Sequence, residues 1–138
     1  MSIEFLLDTN VVSEPLKPQP SAGIMRRLRR HDGEVAIPSL VWHELRFGCA
    51  RLAPSRKRRA IERYLDDVVQ GCFPIFDYDG DAAAWHAKER ARLESAGVAP
   101  PFVDGQIASI AGIHGLTLVT ADKSHFSRFK GVRVVNWR

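Results

Sequence analysis

Residues 103–120 read VDGQIASIAGIHGLTLVT, and this stretch decides the architecture. Val103 to His114 form an apolar helix that Gly115 ends, since glycine takes the left-handed backbone of a helix stop without strain. LTLVT follows as a short apolar run, which reads as a buried strand. Helix, glycine and strand in that order make half of a βαβ crossover.

The same alternation extends outward. IEFLL (3–7), EVAIP (34–38), CFPIF (72–76) and VRVVNW (132–137) read as the remaining strands, with Pro74 marking CFPIF as an irregular or edge strand. Between them lie helical segments. A short one through VVSEPLK is closed by Pro15, Pro18 and Pro20, and a second is N-capped by Ser21 and runs to about His31. Ser39 is expected to cap a helix to Ala50 that buries Val41, Leu45, Gly48 and Leu52. Pro54 or Ser55 opens the next, with Ile61, Leu65, Val68 and Val69 inward. Asp79 caps a helix that Gly97 ends, and KSHFSRF is a short helical turn. Strands separated by helices imply a mostly parallel, covered sheet in an α/β layer sandwich.

The 138 residues suit one domain, taken as 1–138, with no internal repeat or linker. A content of 45% hydrophobic and 26% charged residues is that of an ordinary globular protein. No apolar run approaches the roughly 20 residues of a membrane span. The N-terminus enters a strand at once, so no signal peptide is expected. Cys49 and Cys72 lack metal-ligand spacing and read as reduced thiols of a cytoplasmic protein. The net charge of +4 favours an acidic partner such as nucleic acid. RRLRR (26–30) and RKRR (56–59) are able to follow a phosphate backbone, or equally to form solvated helix faces.

Four acids mark strand ends and helix starts. Asp8 follows the first strand, Asp122 lies just past LTLVT, and Glu44 and Asp104 fall at the margin of their helices' buried stripes. In a parallel α/β sheet, ligands collect beyond the carboxyl ends of the strands. Singly, each acid has an ordinary reading as a turn, cap or surface residue. Jointly they suit a hard divalent cation, which takes oxygen ligands and keeps several waters. His31, His43, His86 and His114 show no ligand-like spacing and read as surface or capping residues. Trp42, Phe47 and Trp85 read as core or dimer contacts.

LLDTNVVSE, SLVWHELRFG, PPFVDGQIASIAGIHGLTLVT and ADKSHFSRFKGVRVVNW together resemble the PIN-domain ribonucleases, specifically the VapC and FitB type of toxin. The resemblance spans residues 4–137. It implies a three-layer α/β/α sandwich and a toxin that cleaves RNA phosphodiester bonds by a metal-activated water. Mg2+ or Mn2+ is the implied cofactor, with Asp8, Glu44 and Asp104 matching the family's metal-binding acids. In the fourth segment the family commonly has T-R-N-x-x-D-F, whereas this chain has Thr120, Ala121, Asp122, Lys123, Ser124, His125 and Phe126. Asp122 takes the fourth position, with His125 able to replace or assist it. Thr120 is able to bond a metal-bound water or a carboxylate, and Asn10 to brace the loop after Asp8. A cognate antitoxin, a homodimer and an RNA substrate are the implied partners. The alternatives are an RNA-processing PIN nuclease and a degraded PIN domain that binds RNA or protein without cutting.

Overall fold

The computed structural model describes residues 2–138. Strand β1 (Phe5–Leu7) passes directly into helix α1 (Thr9–Val12), because the Asp8 carboxylate between them accepts the Thr9 amide at 2.8 Å. A 3-10 turn at Glu14–Leu16 leads to α2 (Ala22–Arg30), whose first turn is capped by the Ser21 hydroxyl accepting the Ile24 amide. Then come β2 (Val35–Pro38) and α3 (Ser39–Ala50). Helix α4 (Arg56–Arg63) continues without interruption through a π-helical segment, Tyr64–Val69, into α5 (Gln70–Cys72). The chain finishes with β3 (Ile75–Phe76), α6 (Gly80–Ser95), α7 (Phe102–His114), β4 (Thr117–Val119), α8 (Lys123–Phe126) and β5 (Arg133–Val135).

The strands lie in the order β3-β2-β1-β4-β5, and every pairing is parallel. From β1 the chain first builds outward on one side to β3, then crosses to build β4 and β5 on the other. The direction of winding therefore reverses beside β1, a position where α/β sheets open a crevice at their carboxyl edge. All four residues of β2 are buried, as a sheet covered by helices on both faces requires. The expected α/β/α sandwich is thus the fold. Of CFPIF only Ile75 and Phe76 form the edge strand β3; Cys72 closes α5, and Pro74 lies just outside the paired residues.

Two local expectations are corrected. Pro38, not Ser39, holds the N-cap position of α3, because its extended backbone already aims its carbonyl into the first turn. Val68 is 42% exposed and does not point inward with Leu65 and Val69. The cause is the π-helical segment, whose wider turn shifts residues away from the stripe a regular helix presents. Tyr64 pins that segment to α1 by donating its hydroxyl to the Val12 carbonyl at 2.6 Å. Burial pushes that phenol's pKa up to about 12, so it remains a donor at any physiological pH.

Glu14 closes the other end of the chain. Its carboxylate is buried beneath α2, accepting the Ser21 amide at 3.2 Å and pairing with Lys17 at 3.1 Å and Arg138 at 3.3 Å. Arg27 donates to the Trp137 carbonyl, and the Trp137 ring packs against Phe5 and His31. Burial alone would raise the Glu14 pKa, but the Ser21 amide and the Lys17 and Arg138 charges outweigh it and hold it low. A depressed carboxyl contributes stability above its unfolded pKa, lost as pH falls through the folded value. Glu14→Gln should therefore lower stability at neutral pH by about 1–3 kcal/mol, and the deficit should shrink in acid. Denaturant melts at pH 7 and pH 3 check this; a deficit that does not change with pH would show that the charge is not what matters.

Candidate active site

Asp8 and Thr120 leave adjacent strands at the same edge. The register pairs Leu7 with Val119, and the Asp8 amide donates to the Val119 carbonyl at 2.9 Å. The Thr120 hydroxyl then donates to Asp8 Oδ2 at 2.9 Å and accepts the Asp122 amide at 3.0 Å. One fully buried hydroxyl thus bridges the first acid to the fourth segment. Asn10 completes this side: its Nδ2 donates to Asp122 Oδ2 at 3.1 Å, and its Oδ1 accepts the Ala121 amide at 3.1 Å. Asn10 braces the β4–α8 loop as well as its own, through contacts between segments more than a hundred residues apart in sequence.

Helices α3 and α7 supply the other two acids. Glu44 is exposed, yet its Oε2 is fixed by the Thr9 hydroxyl at 2.7 Å. Asp104 lies in the first turn of α7, where the helix dipole favours a negative charge. Asp8, Glu44, Asp104 and Asp122 all line one cleft of about 400 Å³, together with Asn10, Val103 and His125. All four acids singled out in the sequence meet here. Both residues of the shifted fourth segment, Asp122 and His125, face the same space.

The electrostatics of the cleft are costly. Asp8 titrates above the usual range, first because it is buried and then because Glu44 and Asp122 stand close, against the lowering effect of the Thr9 and Thr120 hydrogen bonds. Asp104 is likewise raised by burial and by the other three acids, with His125 pulling it down. A divalent cation relieves this kind of mutual repulsion, and the donors are the hard oxygens that Mg2+ and Mn2+ take. Among the described residues, no group of three His, Cys, Asp or Glu side chains closes on a single point. The donor set fits an ion that keeps part of its water shell, rather than a closed cage such as structural zinc requires.

Two neighbours escaped the sequence reading. Thr9 orients Glu44, but nothing in DTN announces a partner 35 residues away. His86 is not a surface residue: it is 4% exposed, with Nδ1 against the Tyr78 hydroxyl at 2.9 Å. Its ring fills the notch above Gly105, where any Cβ would lie 2.1 Å from Nε2. Burial, with Arg90 nearby, keeps the imidazole pKa low. The result is tight packing of α6 on α7 next to Asp104. The signal was only the Gly105 that follows Asp104.

The basic runs are divided in their work. Arg27 and Arg58 are spent on structure, donating to the Trp137 carbonyl and to Glu62 and the Leu52 carbonyl. Arg26, Arg29, Arg30, Arg56, Lys57 and Arg59 remain exposed.

Comparison with known proteins places these features in a family context. The PIN domain model matches residues 5–132. The chain is 35% identical over 124 residues to Toxin FitB of Neisseria gonorrhoeae, covering 88% of this chain and 89% of the relative. It is 31% identical over 136 residues to the tRNA(fMet)-specific endonuclease VapC of Salmonella typhimurium, covering 98% of both chains. A solved structure of FitAB bound to an IR36 DNA fragment superposes with a TM-score of 0.89 at 32% identity, covering 97% of this chain and 96% of that one.

Because the folded state holds protons on Asp8 and Asp104 more tightly than the unfolded chain, stability falls as pH rises from 3.8 through their folded values and stays lower above them. Among the described residues Asp104 makes no side-chain hydrogen bond, so Asp104→Asn removes the charge alone. In metal-free buffer at pH 7 it should raise Tm by on the order of 2–4 °C. Calorimetry measures this, and an unchanged or lower Tm would refute the claim that the site carries electrostatic strain.

Proposed function

The chain belongs to the PIN-domain family, and on that premise we propose that it is a divalent-metal-dependent endoribonuclease acting as the toxin of a toxin–antitoxin pair. The observation that carries this reading is the convergence of four carboxylates, three of them oriented by Thr9, Asn10 and Thr120, on one cleft at the switch point of the sheet. The relatives named as toxin and endonuclease support it over nearly the full length of the chain. The intact hydrogen-bond network supports cutting over binding alone.

Asp8 and Asp104, with Glu44 and Asp122, would hold Mg2+ or Mn2+. When bound, such an ion supplies a Lewis acid that activates water and offsets charge on a phosphodiester under attack. The residues prepare for this. Thr120 fixes which oxygens of Asp8 face the cleft, and Thr9 does the same for Glu44, so little reorganisation is needed when the substrate arrives. Burial and the neighbouring acids raise the Asp8 and Asp104 carboxyls, and a bound cation would offset that cost of ionisation. The exposed arginines of α2 and α4 would contact RNA phosphates, which position a strand without reading its bases.

A cognate antitoxin is one proposed protein partner, since the relative Toxin FitB is found in a FitAB complex, and a second copy of the chain, which the family resemblance implies, is the other. The cytoplasm, where RNA and a partner made alongside would both be met, is the proposed compartment. Among the described residues no helix is long and apolar enough to cross a membrane.

Asp8→Asn and Asp104→Asn should each reduce RNA cleavage at least about 100-fold while the protein stays folded, and excess chelator should do the same to the parent. Growth arrest on expression of the chain alone, relieved by Asp8→Asn, checks the toxin role. Cleavage that persists in either variant or in chelator would overturn the proposed chemistry. Reversing the charge of Arg56, Lys57 and Arg59 should weaken RNA binding and flatten its salt dependence by roughly one unit of slope per lost phosphate contact. A slope equal to the parent's would remove α4 from the RNA path.

A further inference from the structure

The cleft presents one imidazole among its oxygens. Of the five histidines, four are engaged away from it. His31 meets Glu34, His43 stacks on Phe47, His86 meets Tyr78 and His114 packs on Phe76. His125 instead lines the cleft with Asp8, Glu44, Asp104 and Asp122.

The local fold puts it there. α8 starts directly after Asp122, and the His125 amide donates to the Asp122 carbonyl at 3.0 Å. Asp122 holds the N-cap position and His125 lies in the single turn that follows, and both side chains line the cleft. Phe126, 2% exposed, anchors that turn in the core, so α8 carries a carboxylate and an imidazole to the same space. Val103, Asp104 and Ile107 of α7 line the same cleft as His125 and Asp122. The imidazole therefore shares its cleft with acids of two elements.

A site made only of carboxylates and water suits Mg2+ and Mn2+ alike, whereas an imidazole nitrogen favours first-row transition ions and is a poor match for Mg2+. We propose that His125 is a direct metal ligand of this cleft and biases it toward a transition-metal dication of the manganese-to-cobalt type over Mg2+. The proposal rests on the reading that the cleft binds a divalent ion. It goes beyond that reading in assigning a nitrogen donor, and hence a preference among ions, to one residue.

The test uses the full chain and Mn2+ as probe, and needs no RNA. Pulsed electron paramagnetic resonance of the Mn2+-loaded protein should show coupling to an imidazole 14N nucleus, absent in His125→Ala. Competition titrations should show the Mn2+-over-Mg2+ affinity ratio falling on the order of tenfold in His125→Ala, with His125→Asp shifted further toward Mg2+. Because His125 is exposed, His125→Ala should melt like the parent without metal, whereas His125→Asp, which adds a carboxylate to the acidic cleft, should melt lower. Absence of 14N coupling in the parent, its persistence in His125→Ala, or an unchanged ratio overturns the role of His125. If Mn2+ still binds and Asp8→Asn abolishes that binding, the metal cleft itself stands. If no divalent ion binds the parent, both readings fall.

Discussion

Parallel pairing of β1 with β4 is the contact on which the site depends. Its register, Leu7 opposite Val119, makes Asp8 and Thr120 the next residues out of the sheet on neighbouring strands. Only from that position can a fully buried hydroxyl serve one acid as donor and the backbone of another as acceptor. A slip of one residue would turn both side chains to opposite faces, as the period of a strand dictates. The sheet order adds the second condition, because the winding reverses next to β1 and opens the edge where α3 and α7 bring Glu44 and Asp104.

Gathering acids in a half-buried cleft opposes folding, and the surrounding structure absorbs that cost. The helix pair α6 and α7 is the main support beside Asp104. His86 occupies the notch at Gly105, and Trp85 that at Gly112, where a Cβ would lie 2.7 Å from the indole. Such interlocking gives α7 little freedom to withdraw its first turn from its neighbours, since packed interiors tolerate few voids. At the far end, the Glu14 seam binds the C-terminal residues to α2 and to the turn after α1. The element that carries Asp8 at its start is thereby held at its end too.

Charge is distributed with the same economy. Each basic run gives one arginine to the fold and leaves the others to solvent, so the positive surface and the helix packing come from the same segments. The cleft itself is acidic within a chain of net charge +4. That arrangement lets a cation enter the centre while a polyanion is drawn to the periphery.

The sequence by itself determined the strand and helix alternation, the parallel sheet, the edge position of CFPIF, and the identity of the four acids. These follow from local rules: apolar period, cap residues, and glycine at a helix stop, as at Gly115. It also offered Thr120 as a partner for either a metal-bound water or a carboxylate, of which the structure shows the carboxylate of Asp8, and Asn10 as a brace for the loop after Asp8. What only the tertiary structure decided was partnership. Thr9 serves Glu44 on another element, Asn10 reaches Asp122 across the sheet, and His86 is buried because Gly105 leaves room for it. The π-helical segment that exposes Val68 was equally hidden, because local propensity does not distinguish it from a regular helix. A residue's type and its neighbours in sequence set its conformation, but a hydrogen bond between segments separated by 35 or 112 residues exists only once the sheet has set them side by side.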